Sequence, residues 1–389
     1  MSDSPSSQKP ADDSKSSVAA GLKGVVVAET ATSTVYGEEG RLILRGYDIH
    51  DLADHSTFEE VVALLWNGDL PNRADLADMV TLLASEREVD KPVLDLVRSA
   101  PAEAPPMAIL RTATSALGEY DPEAEEMSPE ANRRKAVKLT AQLATLTAAI
   151  FRCRKGQEPV APDPALGHAA NFLFMCFGER ASAQAVRAMD MALVIHSEQG
   201  FNASTFSSRV TSATLSDMYS AITSAIGTLK GPLHGGANQR VLEMLYEVGS
   251  PERVPDYIDA KLAKKERIMG FGHRVYKVED PRGRHLKQVA EELAAAGQGD
   301  PTLLDIQSRM IDVMQDRKGM AINVDFYSAS LYTYLGFPAD LFPPLFAISR
   351  VAGWTSHVME QYSANVLIRP RAQYIGHTGR RYVQIADRG

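Results

Sequence analysis

The chain has 389 residues, 44% of them hydrophobic and 23% charged, with a formal net charge of −8. That length exceeds a comfortable single core and predicts two domains. The negative balance argues against a general binder of nucleic acid or anionic membrane, which needs a surplus of Lys and Arg on its contact face.

The first 17 residues, MSDSPSSQKPADDSKSS, have no apolar centre and read as a disordered tail, not as a secretory or transit sequence. Residues 25–35, VVVAETATSTV, and 41–46, RLILRG, flank YGEEG; β-branched residues on either side of a turn predict a short hairpin. From Thr57 onward the period changes. FEEVVALLWNGDLP, RADLADMVTLLASER and AVKLTAQLATLTAAIF carry apolar residues three and four apart and stop at Gly, Pro or polar clusters, which predicts helices. Residues 181–197 continue the pattern, with Val186, Met189 and Leu193 on one stripe and His196 at its end, and the Ala/Ser-rich MYSAITSAIGTL (218–229) suits a closely packed interior helix. No stretch reaches the roughly 20 apolar residues that span a bilayer. Cys153 and Cys176 make no disulfide framework; they fit a reducing, cytoplasmic setting and read as small buried hydrophobes. The expected fold is all-α, mainly helical with one short N-terminal hairpin and no internal repeat.

Glycines gather where helices stop, at Gly231, Gly235, Gly236, Gly270 and Gly272, where the backbone can approach a ligand closely. His234, in KGPLHGGAN, is held between Gly-Pro and Gly-Gly. His273, in IMGFGH, lies among cations that disfavour its charged form. A neutral imidazole that donates a hydrogen bond can polarise a carbonyl or stabilise an enolate without a metal. The histidines lack the short spacings and the companion Cys or carboxylates of zinc motifs, so no metal is expected. His50, His55, His168, His285 and His377 have no chemical context in the sequence. Asp325 lies between Val324 and Phe326, where burial raises a carboxyl pKa toward that of a general base; standing before a helical run, it equally fits an N-cap.

Residues 261–287, KLAKKERIMGFGHRVYKVEDPRGRHLK, hold nine Lys or Arg and three acids, a local +6. The segment reads as a solvated basic helix and loop or as an anion site. Its Gly-x-Gly, followed by Lys277 and Arg282, favours the anion site. It is not a dinucleotide fingerprint, because the third Gly and a preceding strand are missing. Arg350 stands on an otherwise apolar helix, and Arg369 and Arg371 follow in LIRPRAQ. Such Arg residues usually pair with acids, but several converging ones suit a substrate with two or three carboxylates.

GPLHGGAN, MGFGHRVYKVEDPR, NVDFYSASLY, RVAGWTSHVMEQ and IRPRAQYIG together resemble the citrate synthases, in the expected order and at the expected spacing from about Gly21 to the C-terminus. The resemblance implies a homodimer in which a large domain (18–235 and 337–389) is closed over the substrates by a small one (236–336). It also implies that Asp325 removes a methyl proton from acetyl-CoA, that His234 stabilises the enol, and that His273 polarises the oxaloacetate carbonyl. Citryl-CoA would then be hydrolysed to citrate and CoA. By the same resemblance Arg282 and Arg350, with Arg369 from the neighbouring subunit, hold carboxylates. His196, Gln199 and Asn202 are further candidates for the oxoacid. The CoA candidates are Arg267 or Lys265, Ile268, Gly270, Phe271, Gly272 and Lys277. No cofactor is implied beyond the acyl-CoA substrate.

One departure matters. In HSEQGFNASTFSSR (196–209) the family usually has a second His where Gln199 stands, and often Glu where Gly200 stands. Gln199 can still donate to a carboxylate or hydroxyl, but it has no charge and a different reach. The alternatives are 2-methylcitrate synthase, which uses propionyl-CoA and shares every motif quoted, a dual activity, and a non-catalytic sensor of acyl-CoA or dicarboxylate on the same scaffold.

Overall fold

The computed structural model describes residues 18–22, 24–273 and 275–388; the tail expected at residues 1–17 lies outside them. The chain divides into two compact units. One is Thr30–Leu367, and the other comprises the terminal segments up to Glu29 and from Ile368 onward.

The larger unit carries sixteen α-helices among the described residues, from Ile49–His55 to Phe342–Ser363. A three-stranded antiparallel sheet joins β1 (Ser33–Tyr36), β2 (Arg41–Leu44) and β3 (Tyr47–Asp48) in that order. The hairpin is thus present but shorter than expected. RLILRG offers few partners, pairing runs only from Ser33↔Leu44 to Tyr36↔Arg41, and residues 25–29 belong to the terminal unit. The third strand was not foreseen, being only two residues long.

The expected helices occur at Phe58–Asn67, Arg73–Ser85, Pro129–Cys153, Ala183–His196 and Met218–Leu229. Their starts are chemical. Thr57, Asn72, Ser128, Ser182 and Asp217 each accept a hydrogen bond from a first-turn backbone N–H, satisfying donors the helix itself leaves unpaired. Phe342–Ser363 is buried along most of its length and packs against Phe58–Asn67, Pro129–Cys153, Ala183–His196 and Ala203–Ser212, which makes it the axis of the core. Cys176 is buried, as expected, whereas Cys153 is only partly so.

The hairpin turn braces a loop from elsewhere in the chain. The Lys277 N–H donates to Gly37 O at 2.9 Å, and a side chain at Gly37 would run into the carbonyl of Val275. Glycine is required there by close approach of two backbones, not by its dihedral angles. A contact invisible in the sequence lies nearby: the His50 and His285 rings meet through Nδ1 and Nε2 at 2.8 Å, and His285 Nδ1 lies 3.1 Å from Asp54 Oδ1.

In the terminal unit the regular elements among the described residues are two 3-10 turns, Ala20–Leu22 and Ile385–Asp387. Its apolar residues are open: Val26 is 89% exposed and Ile375 93%.

Candidate active site

His234 occupies the turn between Met218–Leu229 and Ala237–Val248. The turn is tied down by His234 N–H to Gly231 O and Gly235 N–H to Leu229 O, both at 2.9 Å. The imidazole meets the N-terminus of Ala203–Ser212, where the Ser204 N–H donates to its Nε2 at 3.3 Å and Ser204 Oγ lies 2.8 Å from the same atom. Trp354 Nε1–H in turn donates to Ser204 Oγ at 3.1 Å. A backbone N–H can only donate, so Nε2 is an acceptor and the neutral ring carries its proton on Nδ1. Burial, aided by Arg350, lowers the His234 pKa to about 4. The result is a neutral hydrogen-bond donor at Nδ1.

His273 is fixed by its own loop. Its Nδ1 accepts from the N–H groups of Val275 and Tyr276, both at 3.0 Å, so the neutral ring carries its proton on Nε2. Burial and then Arg282 lower this pKa to about 4 as well. The Gln199 amide nitrogen lies 3.3 Å from that Nε2; with the ring proton on Nε2, the amide has to turn over to present its oxygen as the partner.

The same loop is stitched to the start of the helix Val324–Tyr334. Gly272 N–H donates to Ala321 O at 2.8 Å, Asn323 N–H to Gly270 O at 2.9 Å, and Asn323 Nδ2 to Gly272 O at 3.0 Å. Asn323, not Asp325, is the N-cap: its Oδ1 accepts from the Asp325 N–H. The cap reading for Asp325 is therefore corrected: Asp325 is the second residue of the helix, and the capping oxygen belongs to Asn323 two positions before it. Asp325 keeps some exposure as a residue, yet its Oδ1 is enclosed without a partner. Burial raises its pKa to about 7 against the pull of Arg282.

Two guanidinium groups complete the site. Arg350 is fully buried and spends only Nε, on His196 O at 2.6 Å; both its Nη groups lack a partner. Burial lowers its pKa to about 10, which still leaves it charged at neutral pH. Arg282 is held bidentately by Asp280 at 2.9 and 2.7 Å, leaving Nη1 unpartnered. Burial works against its charge, but Asp280 wins and the pKa rises. The ring of Phe346 joins the group, lying 4.7 Å from the Arg350 guanidinium, 4.9 Å from the His196 ring and 6.4 Å from the His234 ring.

The other expected residues divide. His196 donates from Nδ1 to Ala192 O at 2.9 Å and leaves Nε2 enclosed as an acceptor, so it cannot donate to a carboxylate while neutral. Its pKa is lowered to about 3, first by burial and then by Arg282. Asn202 caps Ala203–Ser212, accepting from Ser204 and Thr205 and donating to Gly200 O. It therefore seats Ser204 beneath His234. Arg369 is exposed in the terminal unit. Of the CoA candidates, Arg267 and Lys277 are exposed and without an ion pair among the described residues, as is Lys265. Ile268 and Phe271 turn their side chains into the core. The amide expected of Gly272 is already given to Ala321 O, which corrects that part of the expectation. The loop closes on itself there because Phe271 pairs with Ile322 as a β-bridge.

Ser204, Asp280, Tyr276 and the buried charges behind Gln199 have no local signal that marks them as part of the site. Glu198 accepts from His357 Nε2 at 3.0 Å and from Ser33 Oγ at 2.9 Å; Glu360 sits 3.6 Å from His357 Nδ1 and 2.5 Å from Arg209. Burial opposes the charge on His357, but Glu198 outweighs it and raises the pKa.

Among the described residues no three His, Cys, Asp or Glu side chains are grouped to hold a metal ion, and no helix is long and apolar enough to cross a membrane. Residues 21–371 match the family model described as citrate synthase, C-terminal domain. The chain is 48% identical to citrate synthase 2 of Bacillus subtilis over 95% of this chain and 98% of that one. It is 43% identical to a 2-methylcitrate synthase of Mycobacterium tuberculosis, over 95% and 94%. It superposes with a TM-score of 0.90 and 32% identity on a Thermoplasma acidophilum citrate synthase solved with carboxymethyl coenzyme A and oxaloacetate, covering 96% of this chain and 100% of that one.

Proposed function

From the premise that the chain belongs to the citrate synthase family, we propose that this site condenses acetyl-CoA with oxaloacetate and releases citrate and CoA. The observation that carries the reading is a set of enclosed polar atoms without partners: both Nη of Arg350, Nη1 of Arg282 and Oδ1 of Asp325. Buried polar groups are normally paired, so the free guanidinium N–H groups call for an anionic ligand, and the Asp325 oxygen is left as a proton acceptor.

Oxaloacetate enters first, its carboxylates taken by Arg350 and by the free Nη1 of Arg282. A further contribution comes from Arg369 of a second copy. His273 offers its Nε2 proton to the carbonyl, which makes that carbon electrophilic. Asp325, with a pKa near 7, removes a methyl proton from the acetyl thioester. The oxygen of the resulting enolate accepts a hydrogen bond from the Nδ1–H of His234, a preorganised neutral donor. The enolate carbon attacks the carbonyl carbon, His273 supplies the proton to the alkoxide, and water then cleaves the thioester.

Lys265, Arg267 and Lys277 supply exposed positive charge for the CoA phosphates. Residues 236–336 move as the small domain that closes on the remainder. The homodimer is supported by the open apolar residues of the terminal unit, among them Ile375 and Val26, which a second copy covers. Two cysteines without a disulfide framework support a reducing, cytoplasmic setting.

The 43% identical 2-methylcitrate synthase favours a second reading, propionyl-CoA as acyl donor. One methylene is worth roughly 1–3 kcal/mol in an apolar pocket, so both donors are expected to turn over. A thiol-release assay with oxaloacetate and either acyl-CoA decides between them. Higher kcat/KM for acetyl-CoA supports the first reading, and the opposite order the second. Release with neither donor, while ligands still bind, supports a sensor.

A further inference from the structure

Tyr276 is 3% exposed, and its hydroxyl is enclosed without a hydrogen-bond partner. Its orientation is imposed. Val275 and Lys277 on either side are exposed, the Lys277 N–H is bonded to the hairpin turn, and the Val275 carbonyl is pressed against Gly37. The residue between them can only face inward. Its ring lies 4.7 Å from that of His273, and its backbone N–H helps fix the His273 tautomer.

The groups that act on the phenol are, in order, Arg282, Asp280, Gln199 and Arg350, with burial outweighing them all and holding the pKa up at about 12. At neutral pH the hydroxyl is therefore a donor in search of an acceptor. Asp280 is already committed, since Arg282 and the Val324 N–H occupy its oxygens. Gln199 is near enough to influence the phenol but makes no well-formed hydrogen bond to it. The two arginines are donors themselves, each with an unpartnered Nη. Donors from three residues, all enclosed without partners and with both arginines acting on the phenol, are matched by a shared anion.

We infer that the Tyr276 hydroxyl is a substrate-binding, specificity-determining contact, donating to the oxoacid carboxylate held by Arg282 and Arg350. This rests on the proposed condensation. With Gln199 in place of a charged imidazole, a neutral phenol donor supplies part of the carboxylate recognition. The carbonyl is left to His273.

The test is Tyr276→Phe in the full-length protein, which keeps the ring on His273 and removes one buried oxygen. Steady-state kinetics are run with acetyl-CoA, and binding of oxaloacetate and of succinate, which has the carboxylates but no carbonyl, is measured by calorimetry. Loss of a hydrogen bond to a charged group predicts that KM and Kd for oxaloacetate rise roughly 10–100-fold. Succinate should weaken in parallel, while kcat, KM for acetyl-CoA and Tm stay close to the parent values. Unchanged affinity for oxaloacetate overturns the inference. So does a fall in kcat alone, which assigns Tyr276 to positioning His273, and so does weakening of oxaloacetate without succinate, which places the hydroxyl on the carbonyl. A parent protein that neither binds oxaloacetate nor releases CoA removes the proposed function itself; a normal parent with an indistinguishable variant removes only this inference.

Discussion

The two imidazoles at the centre of the site are built to the same specification by different means. His234 leans on long helices: Ser204 at the start of Ala203–Ser212 and Trp354 from the buried Phe342–Ser363. His273 is held by two amides of its own loop, and that loop is held by backbone bonds to residues 321–323 and by the Gly37 turn. Both rings end up neutral with one aimed N–H. The difference lies in what must move to disturb them. A helix terminus in a packed core shifts only with the core, whereas a loop secured by a few backbone bonds opens at much lower free energy. In the proposed reaction the enol stabiliser thus sits on the fixed side, and the group facing the oxoacid on the side able to respond to it.

The sharpest blow to the fixed side is His234→Gln. It removes a preorganised donor to the developing charge, so kcat is expected to fall by about 10²–10³ with KM for oxaloacetate nearly unchanged. An equal loss in KM would mean that His234 belongs to the oxoacid after all. On the responsive side, Gly37→Val drives a side chain into the Val275 carbonyl and displaces the loop that carries His273. Misplacement of about 1 Å costs roughly 10²-fold in kcat/KM, while helical circular dichroism and Tm should change little. Full activity in that variant would show that the hairpin does not brace the loop.

Asp325 belongs to both sides, and its protonation gives a test without substrate. Its pKa is raised from the ordinary carboxyl value to about 7. The folded state therefore binds this proton more tightly than the unfolded state does. Stability is undiminished below the unfolded pKa near 4 and is lost as pH rises toward 7. Asp325→Asn should accordingly melt several degrees higher than the parent at pH 8, with the gap closing toward pH 4. The smallest effect is expected from Gln199→His, a few-fold change in KM for oxaloacetate with KM for acetyl-CoA unaltered. A larger change in the latter would mean that Gln199 faces the wrong substrate.

How much of this was legible in the sequence follows the same division. The helices were readable because apolar spacing and caps such as Thr57 and Asn72 are local signals. The Gly-bounded turns pointed to His234 and His273, and the apolar surroundings of Asp325 to a raised pKa. What escaped was long-range. His357 and Glu198 are 159 residues apart, and neither neighbourhood hints at the other. Ser204 looked like one hydroxyl in a polar helix start, and His50 and His285 like isolated histidines until folding set them 2.8 Å apart. A Gly-x-Gly suggests free amides, but the N–H of Gly272 goes to Ala321 O beside the long-range Phe271–Ile322 bridge, which no local pattern announces.

The most direct test of the account is thiol release from acetyl-CoA in the presence of oxaloacetate by the parent protein and by Asp325→Ala, with oxaloacetate binding measured in parallel. Loss of a general base should reduce turnover by about 10²–10⁴ while oxaloacetate, held by the arginines, still binds. Turnover within tenfold of the parent in a variant that binds oxaloacetate normally would contradict the assignment of Asp325 as the base.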